Sequence, residues 1–152
     1  MNTSTTEAAI RHLETPEELT ACLPLMRELR PHLGDADDFL QRIGRMRQQS
    51  YRLLAAIHER QAVALAGYRF QENLIYGRFM YVDDLVVQES QRGSRWGARL
   101  ISALDDLARG ADCDKFVLDT GLGNALAQRF YFRQGLLTSA IRFSKFLKGS
   151  PA

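Results

Sequence analysis

Cysteine and histidine are scarce in this chain. Its 152 residues hold two cysteines, Cys22 and Cys113, and three histidines, His12, His32 and His58, all far apart. No C-x-x-C pair and no zinc-ligand spacing arises, so a disulfide framework is excluded and no metal site is expected. That cysteine usage suits a reducing compartment. Long apolar runs are missing as well: no stretch approaches the ~20 residues of a membrane span. The opening MNTSTTEAAI lacks the basic-then-apolar order of a signal peptide. The expectation is a cytoplasmic protein without a membrane partner. Lysine is rare too, with only Lys115, Lys145 and Lys148 against seventeen arginines. Arginine is the better fork for phosphate and carboxylate groups. The formal charge is only +2, which argues against a nucleic-acid partner, for which a clustered basic face is expected.

What is present is the balance of a folded protein, 45% hydrophobic and 25% charged. The length suits one domain, with residues 1–8 read as a flexible tail. No internal repeat or low-complexity linker divides it. Ile10–Leu13 reads as a first strand. Thr15-Pro16-Glu17-Glu18 then carries an N-cap, a first-turn proline and a capping box. The helix it starts has Leu19, Cys22, Leu23, Met26 and Leu29 at helical spacing, a kink at Pro24 and an end at Pro31. A second amphipathic helix begins near Asp35, with Phe39, Leu40, Ile43 and Met46 inward.

From Tyr51 the pattern becomes β-like. Tyr51–His58 and Ala62–Gln71 form a hairpin across Glu59-Arg60-Gln61, and Phe79–Val87 adds a third strand. Gly67 inside the second run marks a bulge or a close backbone approach. Helical spacing returns with Gly97, Leu100, Ile101, Leu104 and Ala108, stopping at Gly110. Phe116–Leu118 reads as a short buried strand and Asn124–Gln134 as a last helix with Gly135 as its cap. Leu136–Ser139 and Ile141–Leu147 read as closing strands. The order β-α-α-β-β-β-α-β-α-β-β predicts one mixed α/β domain.

The strand Asp84-Leu85-Val86-Val87 leads through a polar link into R-G-S-R-W-G-A-R-L, from Arg92 to Leu100. A glycine-containing loop that opens onto a helix start offers unpaired N–H groups and the positive dipole end to an anion, and a diphosphate fits such a site. Gly93 and Gly97 clear the approach, while Arg92 and Arg95 add charge. A P-loop is excluded because no G-K-[ST] follows. The preceding meander disfavours a dinucleotide fold.

A second motif, N-x-x-A-x-x-F-Y-x-x-x-G, runs from Asn124 through Ala127, Phe130 and Tyr131 to Gly135. Together with R-x-x-x-x-G-x-x-L after the D-L-V-V strand, it resembles the GNAT superfamily of acetyl-CoA-dependent N-acetyltransferases. The likeness extends from Ile10 to Leu147. The segment A-x-R-F-Y-x-R-x-G from Ala127 and the ending R-F-S-K from Arg142 look closest to bacterial small-amine members, such as aminoalkylphosphonate acetyltransferases. The resemblance implies a mostly antiparallel sheet flanked by about four helices and splayed around an acyl-CoA site, between the strand ending at Val87 and that of Phe116–Leu118.

The family's acyl-CoA motif is Q/R-x-x-G-x-G/A. Arg92 matches its first position and Gly97 its last, while Arg95 stands at the middle glycine, with its side chain free to turn outward to a CoA phosphate. By the same resemblance Leu85, Val86, Val87, Arg92, Gly93, Ser94, Arg95, Trp96, Gly97, Ala98 and Asn124 are the cofactor contacts. The pantetheine arm pairs with main-chain groups of Leu85 and Val87 as an added strand would. Tyr131 matches the tyrosine that protonates the departing thiolate and also touches the cofactor.

Asp83 and Asp84 are adjacent in a strand and so are expected on opposite faces. Asp84 is the candidate base or ammonium contact, with Glu72 and Asp119 behind it and the histidines structural. Trp96 either stacks on the adenine or packs beneath the loop. The function implied is acetyl transfer from acetyl-CoA to a primary amine of a small molecule. Acetylation of a protein terminus or lysine is the alternative reaction, and an acyl-CoA-binding regulatory module is the non-enzymatic one. A homodimer is compatible with the arginine-rich helix around Arg42, Arg45 and Arg47.

Overall fold

The alternation that begins at Tyr51 is realised as a meander of three antiparallel strands. In the computed structural model, which describes residues 9–149, these are β2 (Arg52–His58), β3 (Gln61–Asn73) and β4 (Gly77–Val87). Strand β1 (Ala9–Leu13) pairs antiparallel with β2, and β5 (Lys115–Leu118) pairs parallel with β4, so the sheet order is β1-β2-β3-β4-β5. The α-helices of the described residues are α1 (Pro16–Leu29), α2 (Ala36–Arg47), α3 (Trp96–Gly110) and α4 (Ala125–Arg133). The architecture is α/β. The chain divides between Asp119 and Thr120 into two compact units. The expected tail, residues 1–8, lies outside the described residues.

Helix α1 starts as its sequence requires. The Thr15 hydroxyl accepts from the Glu18 N–H, and the Glu18 carboxylate takes the Thr15 N–H in return. Glu18 also accepts from the Glu14 N–H and pairs with Arg11; the Glu14 N–H first, then Arg11 and the Thr15 N–H, hold its carboxyl down at about 2. The helix continues through Pro24 to Leu29 and is capped by Arg30, one residue before Pro31. Asp35 caps α2 by accepting from the Asp38 N–H.

The apolar faces of α1 and α2 meet Leu13, Leu53, Ala55, Leu65 and Val86 of the sheet in one core, with Leu19, Leu23, Met26, Phe39 and Ile43 among the helical members. Helix α3 packs over β2, β3, β4 and β5. It buries Trp96, Leu100, Ile101, Leu104 and Ala108. Residues 54, 56, 64 and 66 of the strands point away from the α1 core by alternation. Three of these four are alanines, Ala56, Ala64 and Ala66, which allow a helix to approach closely.

Three expectations need correction. Leu136–Ser139 and Ile141–Leu147 form no strand among the described residues. Their apolar pattern has no facing partner, and Leu137, Phe143 and Leu147 are more than four-fifths exposed, at 82%, 90% and 87%. A strand exists by virtue of its ladder, and alternation alone does not supply one. The strand at Phe116–Leu118 is half-buried rather than buried, since β5 ends the sheet and has one strand neighbour among the described residues. The third correction concerns the two aspartates and belongs to the site.

Candidate active site

Strand β4 carries an irregularity at its centre. Gly67 of β3 faces Asp84, yet the next residue, Tyr68, faces Val82, so Asp83 is an extra residue on β4. Such a bulge bends the strand and re-aims its side chains. Asp83 and Asp84 therefore do not diverge to opposite faces; both carboxylates enter one cluster. Asp84 accepts from the Tyr51 hydroxyl at 2.8 Å and from Arg30 Nε at 3.0 Å. A second Arg30 nitrogen donates to the Asp83 carbonyl at 2.8 Å. Asp83 in turn accepts from Arg69 Nε at 2.9 Å, and Arg69 donates to Gln49 Oε1 at 2.7 Å. The Arg69 guanidinium also lies 5.6 Å from the centre of the Tyr51 ring.

Gly67 makes this cluster possible. A Cβ added there would sit 1.9 Å from the Tyr51 oxygen and 2.8 Å from an Asp84 oxygen. The bulge expected at Gly67 lies opposite it on β4, and the close approach to the glycine is made by the Tyr51 and Asp84 side chains. Burial pushes the Tyr51 phenol well above its usual value, and the Asp84 charge adds to the shift, so Tyr51 stays protonated and donates. Burial also raises Asp83, against the lowering effect of its hydrogen bond with Arg69.

Beyond the bulge the sheet opens. Strand β5 faces β4 only from Phe79 to Val82, its last residue Leu118 lying opposite Val82. On that side Asp83–Val87 has no strand neighbour among the described residues. This stretch runs directly into the loop before α3. Glu89–Gln91 forms one turn of 3-10 helix, and Arg92 Nε reaches back toward the Val87 carbonyl at 3.4 Å. Gly93 takes φ +91°, where L side chains are rare, and its Cβ position is open space.

Arg95 caps α3 in the left-handed conformation, at φ 70° and ψ 14°. The first N–H of the helix region to find a backbone carbonyl is that of Arg99, which bonds Arg95. The N–H groups of Trp96, Gly97 and Ala98 before it are those that a helix start leaves unpaired. The Arg92, Gly93, Ser94 and Arg95 side of the turn is exposed, while Gly97 and Ala98 are half-buried. Left-handed backbone, open space at Gly93 and free donors at a helix dipole fit a diphosphate.

The other predicted residues fall as follows. Leu85 and Val87 are half-buried on the unpaired stretch, and Val86 is buried in the α1 core, so it faces the opening with main chain only. Trp96 is buried, with the Arg99 guanidinium 4.5 Å from its ring centre, His58 beside it and its N–H aimed at Gln91. That ring is occupied in packing beneath the loop. The carboxylate of Asp119 accepts from the Tyr81 hydroxyl, and Glu72 is exposed near the end of β3. His12 bonds the Tyr68 hydroxyl at 2.8 Å.

In the second unit, Asn124 caps α4 by accepting from the Ala127 N–H at 3.1 Å, and Gly135 closes it at φ +91°. Tyr131 is half-buried beside Phe130, and burial raises its phenol above the ordinary value. A cavity of about 590 Å³ between α1 and the β2–β3 hairpin, lined by Arg11, Glu17, Cys22 and Arg60 among others, contains none of the predicted site residues. Sequence reasoning missed Arg30, Tyr51 and Arg69; Gly67 was the one signal pointing to them.

Comparison with known proteins places these features in context. Residues 9–136 match the acetyltransferase (GNAT) family. The uncharacterized N-acetyltransferase YhdJ of Bacillus subtilis (strain 168) is 32% identical over 80% of the chain and 86% of its own length. An aminoalkylphosphonate N-acetyltransferase of Salmonella typhimurium is 31% identical over 64% of the chain and 62% of its own. Among solved structures, an aminoglycoside N-acetyltransferase in complex with CoA superposes with a TM-score of 0.81 at 18% identity, covering 93% of this chain and 96% of that one.

Proposed function

The chain belongs to the acetyltransferase (GNAT) family as an acetyl-CoA-dependent N-acetyltransferase, and from that premise we propose that its acceptor is a primary amine on a small molecule. The observation that carries this reading is the bulge in β4. It sets Asp83 and Asp84, balanced by Arg69 and Arg30, at the start of the unpaired stretch of the sheet, where the Asp83 oxygen not used by Arg69 offers a cationic amine a hydrogen bond beside an extended backbone. The 31% identity to an aminoalkylphosphonate N-acetyltransferase supports the same acceptor class.

Acetyl-CoA, when bound, supplies an acetyl group activated as a thioester. The donors of the first turn of α3, with Arg92 and Arg95, hold the diphosphate. Main-chain groups of Leu85 and Val87 run beside the pantetheine arm. Asn124 contacts the cofactor while its side chain caps α4. Tyr131 holds a proton on its hydroxyl for the departing sulfur. Its raised pKa keeps that proton in place at neutral pH, as a donor requires.

The test has two parts. Acetyl-CoA added to the pure protein raises its melting temperature, and a panel of primary amines releases free thiol. The Tyr131→Phe variant keeps the thermal shift and loses turnover by about 100-fold, a typical general-acid contribution. Neither shift nor thiol release at millimolar acetyl-CoA overturns the reading, and full activity in Tyr131→Phe returns that ring to packing.

A further inference from the structure

The two carboxylates at the bulge differ in what is left for a ligand to use. Asp84 is held at both ends: one oxygen accepts from Arg30, the other from Tyr51, and only 11% of its side chain is exposed. The Tyr51 hydroxyl is buried against Gly67 and has no room to turn away. Asp83 uses one oxygen, Oδ2, for Arg69, while its Oδ1 has no hydrogen-bond partner among the described residues, and 23% of the side chain is exposed. A carboxylate with one oxygen anchored and the other open is oriented without being saturated.

Resting on the small-amine reading above, we propose that Asp83, rather than Asp84, is the residue that receives the acceptor ammonium and takes its proton. Asp84 with Arg30 and Tyr51 is the brace that holds the bulge and so aims Asp83. Burial, which raises Asp83, makes it a better proton acceptor than an ordinary aspartate. The charged and titratable groups around it are Arg69 on β3, Arg30 at the end of α1, Asp84 on its own strand and Tyr51 before β2. Arg69 and Arg30 offset part of the burial.

The protons balance. Of the three on the ammonium, one passes to Asp83 Oδ1 and on to solvent, which frees the nitrogen lone pair. That pair forms the C–N bond at the acetyl carbonyl, and the C–S bond breaks with its electrons on sulfur. A second proton ends on the sulfur and the third remains in the amide.

The experiment uses an amine that the wild type acetylates. Asp83→Asn, which preserves an acceptor for Arg69, lowers kcat/KM about 100-fold. It also weakens binding of that amine, measured by calorimetry with unacetylated CoA present, about tenfold. Asp83→Ser, which withdraws from both partners, shows the same losses, and Asp83→Glu recovers part of the activity. Asp84→Asn, compared at equal folded fraction, stays within about tenfold of wild type in kcat/KM while its melting temperature falls. Normal activity and amine affinity in Asp83→Asn and Asp83→Ser, or the greater loss in Asp84→Asn, overturns the assignment. A wild type that binds acetyl-CoA but acetylates no amine in the panel fails earlier, at the small-amine reading, and this role falls with it.

Discussion

The bulge in β4 and the loop before α3 are joined by four residues, Leu85 to Gln88, yet they are built on opposite plans. At the bulge, side chains meet side chains: Arg30, Tyr51 and Arg69 converge on Asp83 and Asp84, and only one carboxylate oxygen remains open. At the loop the backbone does the work, with left-handed Gly93 and Arg95 presenting the unpaired donors of a helix start. The bulge is pre-formed by internal bonds, whereas the loop leaves the donors of its helix start without backbone partners. A cofactor that is the same for a whole family can be held by backbone, which any sequence supplies. An acceptor that differs from member to member calls for side chains.

Substitutions at each place should fail for different reasons. The largest effect is expected at Asp84→Ala, which strips the buried Tyr51 hydroxyl and Arg30 of their shared acceptor. It should cost about 3 kcal/mol of stability in chemical denaturation, with the 41% exposure of the Arg30 side chain limiting the loss. A loss below about 0.5 kcal/mol would show that the network does not brace the bulge. Next comes Gly67→Ala. The backbone at Gly67 is ordinary, so the penalty is purely steric: Tyr51 or the strand must move to admit the methyl group. About 2 kcal/mol is expected, with loss of amine affinity before acetyl-CoA affinity. The double variant Gly67→Ala with Tyr51→Phe should recover part of it, because the clashing oxygen is gone.

Gly93→Ala probes the other plan. No atom obstructs a Cβ there, so the cost is the left-handed backbone alone, about 1 kcal/mol. Its signature is reversed relative to Gly67: acetyl-CoA affinity falls while the affinity for the amine holds. If both glycines affected both ligands equally, the separation between the two regions would collapse.

The same contrast explains what could be read from the sequence. Helix starts, the meander and the loop are local, fixed by Thr15, Asp35, Gly93 and the spacing of Leu100, Ile101 and Leu104, and they stand where expected. The bulge network is not local. Arg30 and Tyr51 lie 54 and 33 residues before Asp84, and nothing in an arginine or a tyrosine announces its partner at that distance. Gly67 alone hinted at it. Period-two alternation placed Asp83 and Asp84 on opposite faces because it assumes an uninterrupted ladder. It gave strands to Leu136–Ser139 and Ile141–Leu147 because it sees hydrophobicity and not partners.

The smallest effect expected is also the one whose sign separates the two plans most cleanly. Arg95 occupies the position where the family motif has glycine, and it adopts the conformation that glycine would adopt, φ 70°, at a cost of about 1 kcal/mol. The substitution Arg95→Gly removes that cost and the guanidinium together. Stability should rise by about 1 kcal/mol, which is ~3 °C in melting temperature for a chain of this size. Glycine's greater freedom in the unfolded chain takes back part of the gain. Affinity for acetyl-CoA should fall a few-fold, and the loss should shrink as salt is added, since an exposed guanidinium acts on phosphate through a screened charge. If Arg95 were instead a drifted glycine that merely tolerates its place, the same variant would gain stability and affinity together. Opposite signs in the melting curve and the binding isotherm mean that strain in the fold is retained for a charge at the phosphates.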